Sequence, residues 1–147
     1  MAFLNSINIS ASGLTAEKLR MDVISRNIAN VNTTRTADGT PYRRQVVVFQ
    51  EGENQTSFSD CLSAASRSLI GSGVKVTGIK DDTTPFKSVY DPGHPDADEK
   101  GYVKMPNVDV MTEMVNMISA SRAYEANVTA INSAKSMALK ALEIGRG

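Results

Sequence analysis

His94, the only histidine, sits between Gly93 and Pro95. A general acid or base needs a positioned partner and a tuned pKa. The run Asp91-Pro92-Gly93-His94-Pro95 is instead a strong turn signal. Beside it, Asp96-Ala97-Asp98-Glu99-Lys100-Gly101 spaces its first acids as a calcium loop does. That loop needs a further oxygen ligand at its fifth position, where Lys100 stands. The single cysteine, Cys61, cannot close an intrachain disulfide, has no histidine near it in sequence, and belongs to no zinc-type Cys/His cluster. Arg43-Arg44 is an anion-binding candidate, but pairing with acids of the same or an adjacent copy is the simpler expectation. Asp81-Asp82 ahead of Thr83-Thr84-Pro85 reads as a polar turn. Gly-rich phosphate loops, the dinucleotide fingerprint and the serine elbow are all missing from the sequence. These residues therefore predict no enzyme, with no catalytic, cofactor-binding or metal residues and no cofactor.

Composition narrows the partners. Lys plus Arg and Asp plus Glu each number 16, so the net charge is zero. Nucleic-acid binders and polybasic membrane proteins carry an excess of positive charge. No stretch approaches the ~20 apolar residues of a membrane span. The opening Met1-Ala2-Phe3-Leu4-Asn5-Ser6 lacks the basic and apolar regions of a cleaved secretory signal. The expectation is a chain without nucleic acid, small-molecule substrate or membrane span.

The elements that could position anything are helices at the two ends. All five prolines lie between Pro41 and Pro106, and Gly13 is the only glycine in the first 38 residues. Ile7, Leu14, Met21 and Ile28 repeat every seven residues, flanked later by Ile24 and Val31, which makes a narrow apolar stripe. Ser12 is a candidate N-cap if the straight part begins at Gly13, with residues 1–11 a separate or frayed segment. The helix should end near Asn30, since Asn tolerates the left-handed conformation used just past a terminus. From Val108 to Ile144 there is neither Gly nor Pro. At about 1.5 Å per residue this is a rod of roughly 50 Å. Asn107 is its candidate N-cap, with Asp109 in the first turn facing the helix dipole. Val110, Met114, Met117, Tyr124, Val128, Ile131, Ala138 and Leu142 keep a three-four spacing, with Ser121 and Lys135 filling gaps and Met111, Val115 and Ile118 widening the stripe at its start. Eleven positions from Ser119 to Ala141 are Ala or Ser, which lets helix backbones approach closely. Such a helix cannot be wrapped by its own chain, so it needs neighbours.

Between the helices the period changes. Residues 43–49, 74–79, 85–90 and 101–105 read as strands. Residues 51–73 read as an exposed insertion with a weakly helical piece over 60–69. The expected fold class is α+β: long N- and C-terminal helices packing in a coiled-coil-like pair, with a small β-rich middle domain. The expected divisions are 1–36, 37–106 and 107–147.

Two stretches carry a family resemblance. Ser12-Gly13-Leu14-Thr15-Ala16-Glu17 through Asp22-Val23-Ile24-Ser25-Arg26-Asn27-Ile28-Ala29-Asn30-Val31-Asn32-Thr33 resembles the N-terminal signature of bacterial flagellar rod and hook proteins. Asn107-Val108-Asp109-Val110 through Arg122-Ala123-Tyr124-Glu125-Ala126-Asn127 resembles their shared C-terminal segment. The motif residues are Gly13, Asn27, Asn30, Asn32, Thr33, Asn107, Arg122 and Asn127. Pro41-Tyr42-Arg43-Arg44-Gln45, Phe86 through Pro95 and Gly101 through Pro106 resemble the proximal-rod branch. Many relatives follow the Asn-x-Asn-Thr motif with a Gly and an aromatic. Here Thr34-Arg35-Thr36 follows, and the aromatic waits until Tyr42. The resemblance implies a structural, torque-transmitting subunit in the periplasm-spanning rod of the basal body, exported by the flagellar type III apparatus without a cleaved signal. Its implied partners are further copies of itself, other proximal- and distal-rod proteins, and the adaptor that joins the rod to the export gate and MS ring. The alternative is an adaptor or other axial component of a type III apparatus. The assembly interface would use Ile7, Leu14, Met21, Ile24, Ile28, Val31, Val110, Met114, Met117, Ile118, Tyr124, Val128, Ile131 and Leu142.

Overall fold

The computed structural model describes residues 2–52 and 73–145. Cys61, the helical piece expected over 60–69 and most of the insertion lie outside the described residues. The order is helix α1 (Ala2–Ala29), strands β1 (Gln45–Glu51), β2 (Val74–Asp81), β3 (Lys87–Tyr90) and β4 (Tyr102–Met105), then helix α2 (Val110–Ile144). The strands form two small sheets, β1 with β2 and β3 with β4. The fold class is α+β, as the sequence predicts.

α1 runs unbroken through Ser12 and Gly13, so there is no fresh N-cap and no separate segment before it. The Ser12 hydroxyl donates back to the Ile9 carbonyl at 2.6 Å and accepts the Val74 N–H at 3.1 Å. A serine that bonds to its own turn leaves the helix intact. The helix does end at Asn30, but by side-chain capping. The Asn30 N–H and Nδ2 both donate to the Arg26 carbonyl, at 3.1 and 2.9 Å. No described non-glycine residue has a positive φ, so the left-handed conformation expected at Asn30 is not used.

α2 starts later than expected. Asp109, not Asn107, is its N-cap: one carboxylate oxygen accepts the Thr112 N–H at 3.3 Å and the Thr112 hydroxyl at 2.6 Å, while the Asp109 carbonyl takes the Glu113 N–H. The side chain of Asn107 is engaged elsewhere. β3 likewise begins at Lys87, and Phe86 just before it lies under the Arg43 guanidinium, 4.4 Å from the ring centroid.

The chain divides into two compact units. The first contains Met1–Lys18, Phe49–Thr77 and Arg122–Gly147. Its described core includes Ala16 and Ala134. Gly13 of α1 meets Asn127 of α2 there: a Cβ at position 13 would lie 3.1 Å from the Asn127 amide nitrogen. Absence of a side chain is what permits that approach. The Gly52 N–H donates to the Gly73 carbonyl at 2.9 Å and closes the neck of the insertion. Gly73 has φ 81°, and a Cβ there would run into the Ser12 hydroxyl.

The second unit contains Leu19–Val48 and Gly78–Ser121. Val23, Ile24, Val103, Val108 and Ala120 are buried in it, and so are two polar side chains, Asn27 and Glu113. β3 and β4 are antiparallel, with Val89 opposite Val103 and Tyr90 opposite Tyr102. The two tyrosine rings meet edge to face at 5.3 Å.

Candidate functional site

His94 and Asp98, which the sequence offered for chemistry, are spent on turns. His94 Nδ1 accepts the Asp96 N–H at 3.1 Å. Asp98 accepts the N–H groups of Lys100 and Tyr102, both at 2.9 Å. The Asp96 carboxylate accepts the Thr34 hydroxyl at 2.8 Å and lies 3.9 Å from Arg35. A cleft of about 350 Å³ opens beside them, lined by Thr34, Arg35, Pro41, Asp96, Tyr102 and Lys104 among others. No group of three or more His, Cys, Asp or Glu among the described residues is arranged to hold a metal.

The polar chemistry is concentrated in a node inside the second unit. Glu113, on the inner face of α2, is fully buried. Its Oε1 accepts Arg44 Nε at 2.9 Å and Nη2 at 2.7 Å, and its Oε2 accepts Asn27 Nδ2 at 2.8 Å. Arg44 Nη1 reaches Asp82 at 3.2 Å. Both Glu113 oxygens are thus committed to donors, which suits a structural anchor and not a free base.

Asn27, on α1, makes all four bonds its amide allows. Besides Glu113, Nδ2 donates to the Gln45 carbonyl at 2.9 Å, while Oδ1 accepts the Gln45 N–H and the Tyr42 hydroxyl, each at 2.9 Å. The side-chain amide thereby pairs with the backbone of Gln45 as a neighbouring strand would. Asn107 instead bridges the residue before Gln45 to the turn after β2. Its Oδ1 accepts the Arg44 N–H at 2.8 Å, and its Nδ2 donates to the Asp82 carbonyl at 3.1 Å and the Thr84 hydroxyl at 2.8 Å. Two asparagines thus satisfy the backbone where β1 begins, one from each terminal segment.

Electrostatics follow the same geometry. Burial works against the charge on Arg44, but its bonds to Glu113 and then Asp82 outweigh that and hold its pKa above the ordinary arginine value. The Thr84 backbone N–H, assisted by Arg44, lowers the pKa of Asp82. Burial raises that of Tyr42, opposed by Arg26 and reinforced by Asp81 and Glu113.

Among the residues expected at an assembly interface, Ile24 is buried. Ile7, Leu14, Met21, Ile28, Val31, Met117, Tyr124, Val128 and Ile131 are half-buried. Val110, Met114, Ile118 and Leu142 are exposed. Val31 lies beyond the end of α1, in the turn that follows it. Of the motif residues, Gly13 meets Asn127, Asn27 and Asn107 flank the start of β1, and Asn30 accepts the Thr33 hydroxyl at 3.2 Å. Asn32 and Arg122 are exposed. The sequence reading missed Glu113, Tyr42 and Gln45. A signal for Glu113 was present: an acid four residues before Met117 and seven before Ala120 lies on the small-residue face of the helix.

Comparison with known proteins assigns the family. The N-terminal stretch 7–35 matches the model described as flagella basal body rod protein, and residues 99–144 match flagellar basal body rod FlgEFG protein C-terminal. A protein of Borreliella burgdorferi named flagellar basal-body rod protein FlgC is 52% identical over 156 residues, covering all of both chains. The chain belongs to the flagellar basal-body rod family. Rod proteins of the same name from Bacillus subtilis and Escherichia coli O157:H7 are each 48% identical, over 99% of this chain and 100% of theirs. The rod-family matches coincide with α1 and with the β4–α2 segment, the two stretches that supply Asn27, Asn107 and Glu113 to the node.

Proposed function

We propose that this chain is a structural subunit of the flagellar proximal rod, assembling through its terminal helices into a hollow tube that transmits torque. The observation that carries this reading is similarity to named rod proteins along the whole chain. The relatives' names describe rod proteins, which favours a building block over an enzyme. The exposed apolar residues of α2 support it physically. On one side of its first turns Met111 is 71% exposed, Val115 64% and Ile118 53%. Contiguous apolar surface of this kind marks sites covered by a partner.

In this reading segments 1–36 and 107–147 form the inner layers of the tube and 37–106 faces outward. Neighbours are further copies of the chain, other proximal- and distal-rod proteins, and the adaptor to the export gate and MS ring. The chain reaches the periplasm-spanning rod through the flagellar type III apparatus. No described helix is long and apolar enough to cross a membrane. Torque is shared among many shallow helix contacts in parallel, so no single pocket is required.

The test combines Met111→Asp and Val115→Asp. These side chains are solvent-exposed in the single chain, so the fold should persist while rod assembly and motility are lost. Motile cells carrying the double variant would remove this face from the interface. Failure of the unaltered chain to co-purify with rod neighbours would overturn the subunit assignment itself.

A further inference from the structure

We propose that the Asn27–Arg44–Glu113 node is a rotational lock, holding the more apolar face of the first turns of α2 outward. The geometry follows from one turn per 3.6 residues, about 100° each. With Glu113 pointing inward, Ala120 lies roughly 20° away, Val110 roughly 60°, Met114 roughly 100°, and Met111, Val115 and Ile118 between roughly 140° and 200°. Exposure rises in that order: Ala120 0%, Val110 36%, Met114 51%, and then Ile118 53%, Val115 64% and Met111 71%. Within roughly 60° of Glu113 lie Val110, Asn116, Met117 and Ala120, and opposite it lie Met111, Val115, Ile118 and Ser119. The three large apolar side chains of that opposite side are each more than half exposed.

That orientation inverts the usual amphipathic rule. Burial of apolar area alone favours turning the helix by about half a revolution, so that Met111, Val115 and Ile118 face in. The node opposes this. A half-turn would carry the Glu113 carboxylate away from both Arg44 nitrogens and from the Asn27 amide, leaving a guanidinium without its main partner. Asn107 and Asp109 add a second restraint, because their bonds fix the chain just before the helix starts. Asn127, which meets Gly13, and buried Ala134 lie roughly 40° and 60° from Glu113 on the same unbroken helix, so they favour the same rotation; the proposal rests on these contacts and not on the rod assignment.

The test uses the full-length chain with Cys61→Ser, carrying either Val115→Cys or Ala120→Cys, and measures the rate of maleimide modification. In this background the thiol at 115 should react fast and the thiol at 120 slowly. Equal rates overturn the lock at once. Adding Arg44→Met with Glu113→Ala removes the anchor: modification at 115 should slow about tenfold and that at 120 accelerate about tenfold. Adding Arg44→Met with Glu113→Leu makes the inward face apolar, and the original pattern should be retained. Faster reaction at both positions, no change at either, or the same response in both pairs overturns the lock and leaves the node as a stabilising cluster only.

Discussion

Truncating Glu113 to Ala isolates the energetic role of the buried node. The change removes two bonds from Arg44 and one from Asn27, and leaves the Arg44 guanidinium without its main acceptor. Removing one partner of a buried ion pair costs about 3–5 kcal/mol, because the other charge stays desolvated. The Arg44 side chain retains 23% exposure and its contact with Asp82, which places the expected cost near the lower end, at about 3 kcal/mol. For a chain of this size each kcal/mol moves Tm by roughly 2–4 °C, so the melt should fall by about 10 °C. Replacing both partners, Arg44→Met with Glu113→Leu, should leave stability within about 1 kcal/mol of the starting chain, since no unpaired charge remains. Denaturant titration followed by circular dichroism at 222 nm measures both (the far-ultraviolet helix signal). A loss below about 1 kcal/mol for Glu113→Ala, or an equal loss for the double replacement, would refute the reasoning.

Other expected outcomes follow from the same geometry. Gly13→Val should destabilise the first unit by about 1–3 kcal/mol through the Asn127 contact, with Gly13→Ala milder; thermal melts measure both. Asp82 and Asp109 have folded-state pKa values below their ordinary one. Each therefore contributes stability that is complete above the unfolded carboxylate value and lost as pH falls through the lower folded value. An acid titration of helicity should show this loss beginning below about pH 4, and Asp109→Asn should make hydrogen exchange at the start of α2 less sensitive to acid. His94→Ala should leave motility unchanged, since its ring serves only a turn; swarming assays measure this.

The helices were legible in the sequence because breakers are absent from them, and the strands because β-branched runs are short and bounded by turn residues. Helix ends were less so. Ser12 and Asn107 are both good N-caps by type, yet Ser12 is drawn into the interior by Ile9 and Val74, and Asn107 is claimed by Arg44 and Thr84. A capping preference of about 1 kcal/mol is small enough for tertiary bonds to override it. The pairing of Arg44 with acids was foreseeable, but its partners were not. Asp82 is 38 residues away and Glu113 69, and nothing local in the chain reports such distances. The heptad stripe of the first helix and the small residues of the second were visible in the sequence. Which side of the first turns of α2 faces inward was not, because the buried Glu113 lies there while Met111, Val115 and Ile118 lie on the exposed side.

The bond between Gly52 and Gly73 gives the chain a port. Its two rims are tied to each other, and the Ser12 hydroxyl holds the backbone at Val74 against α1. With the ends already fixed side by side, extra residues joined there add chiefly loop-closure entropy, about 0.6 kcal/mol for each doubling in length. A short peptide tag joined between these two rims should leave the helicity of α1 and α2 unchanged, which circular dichroism measures.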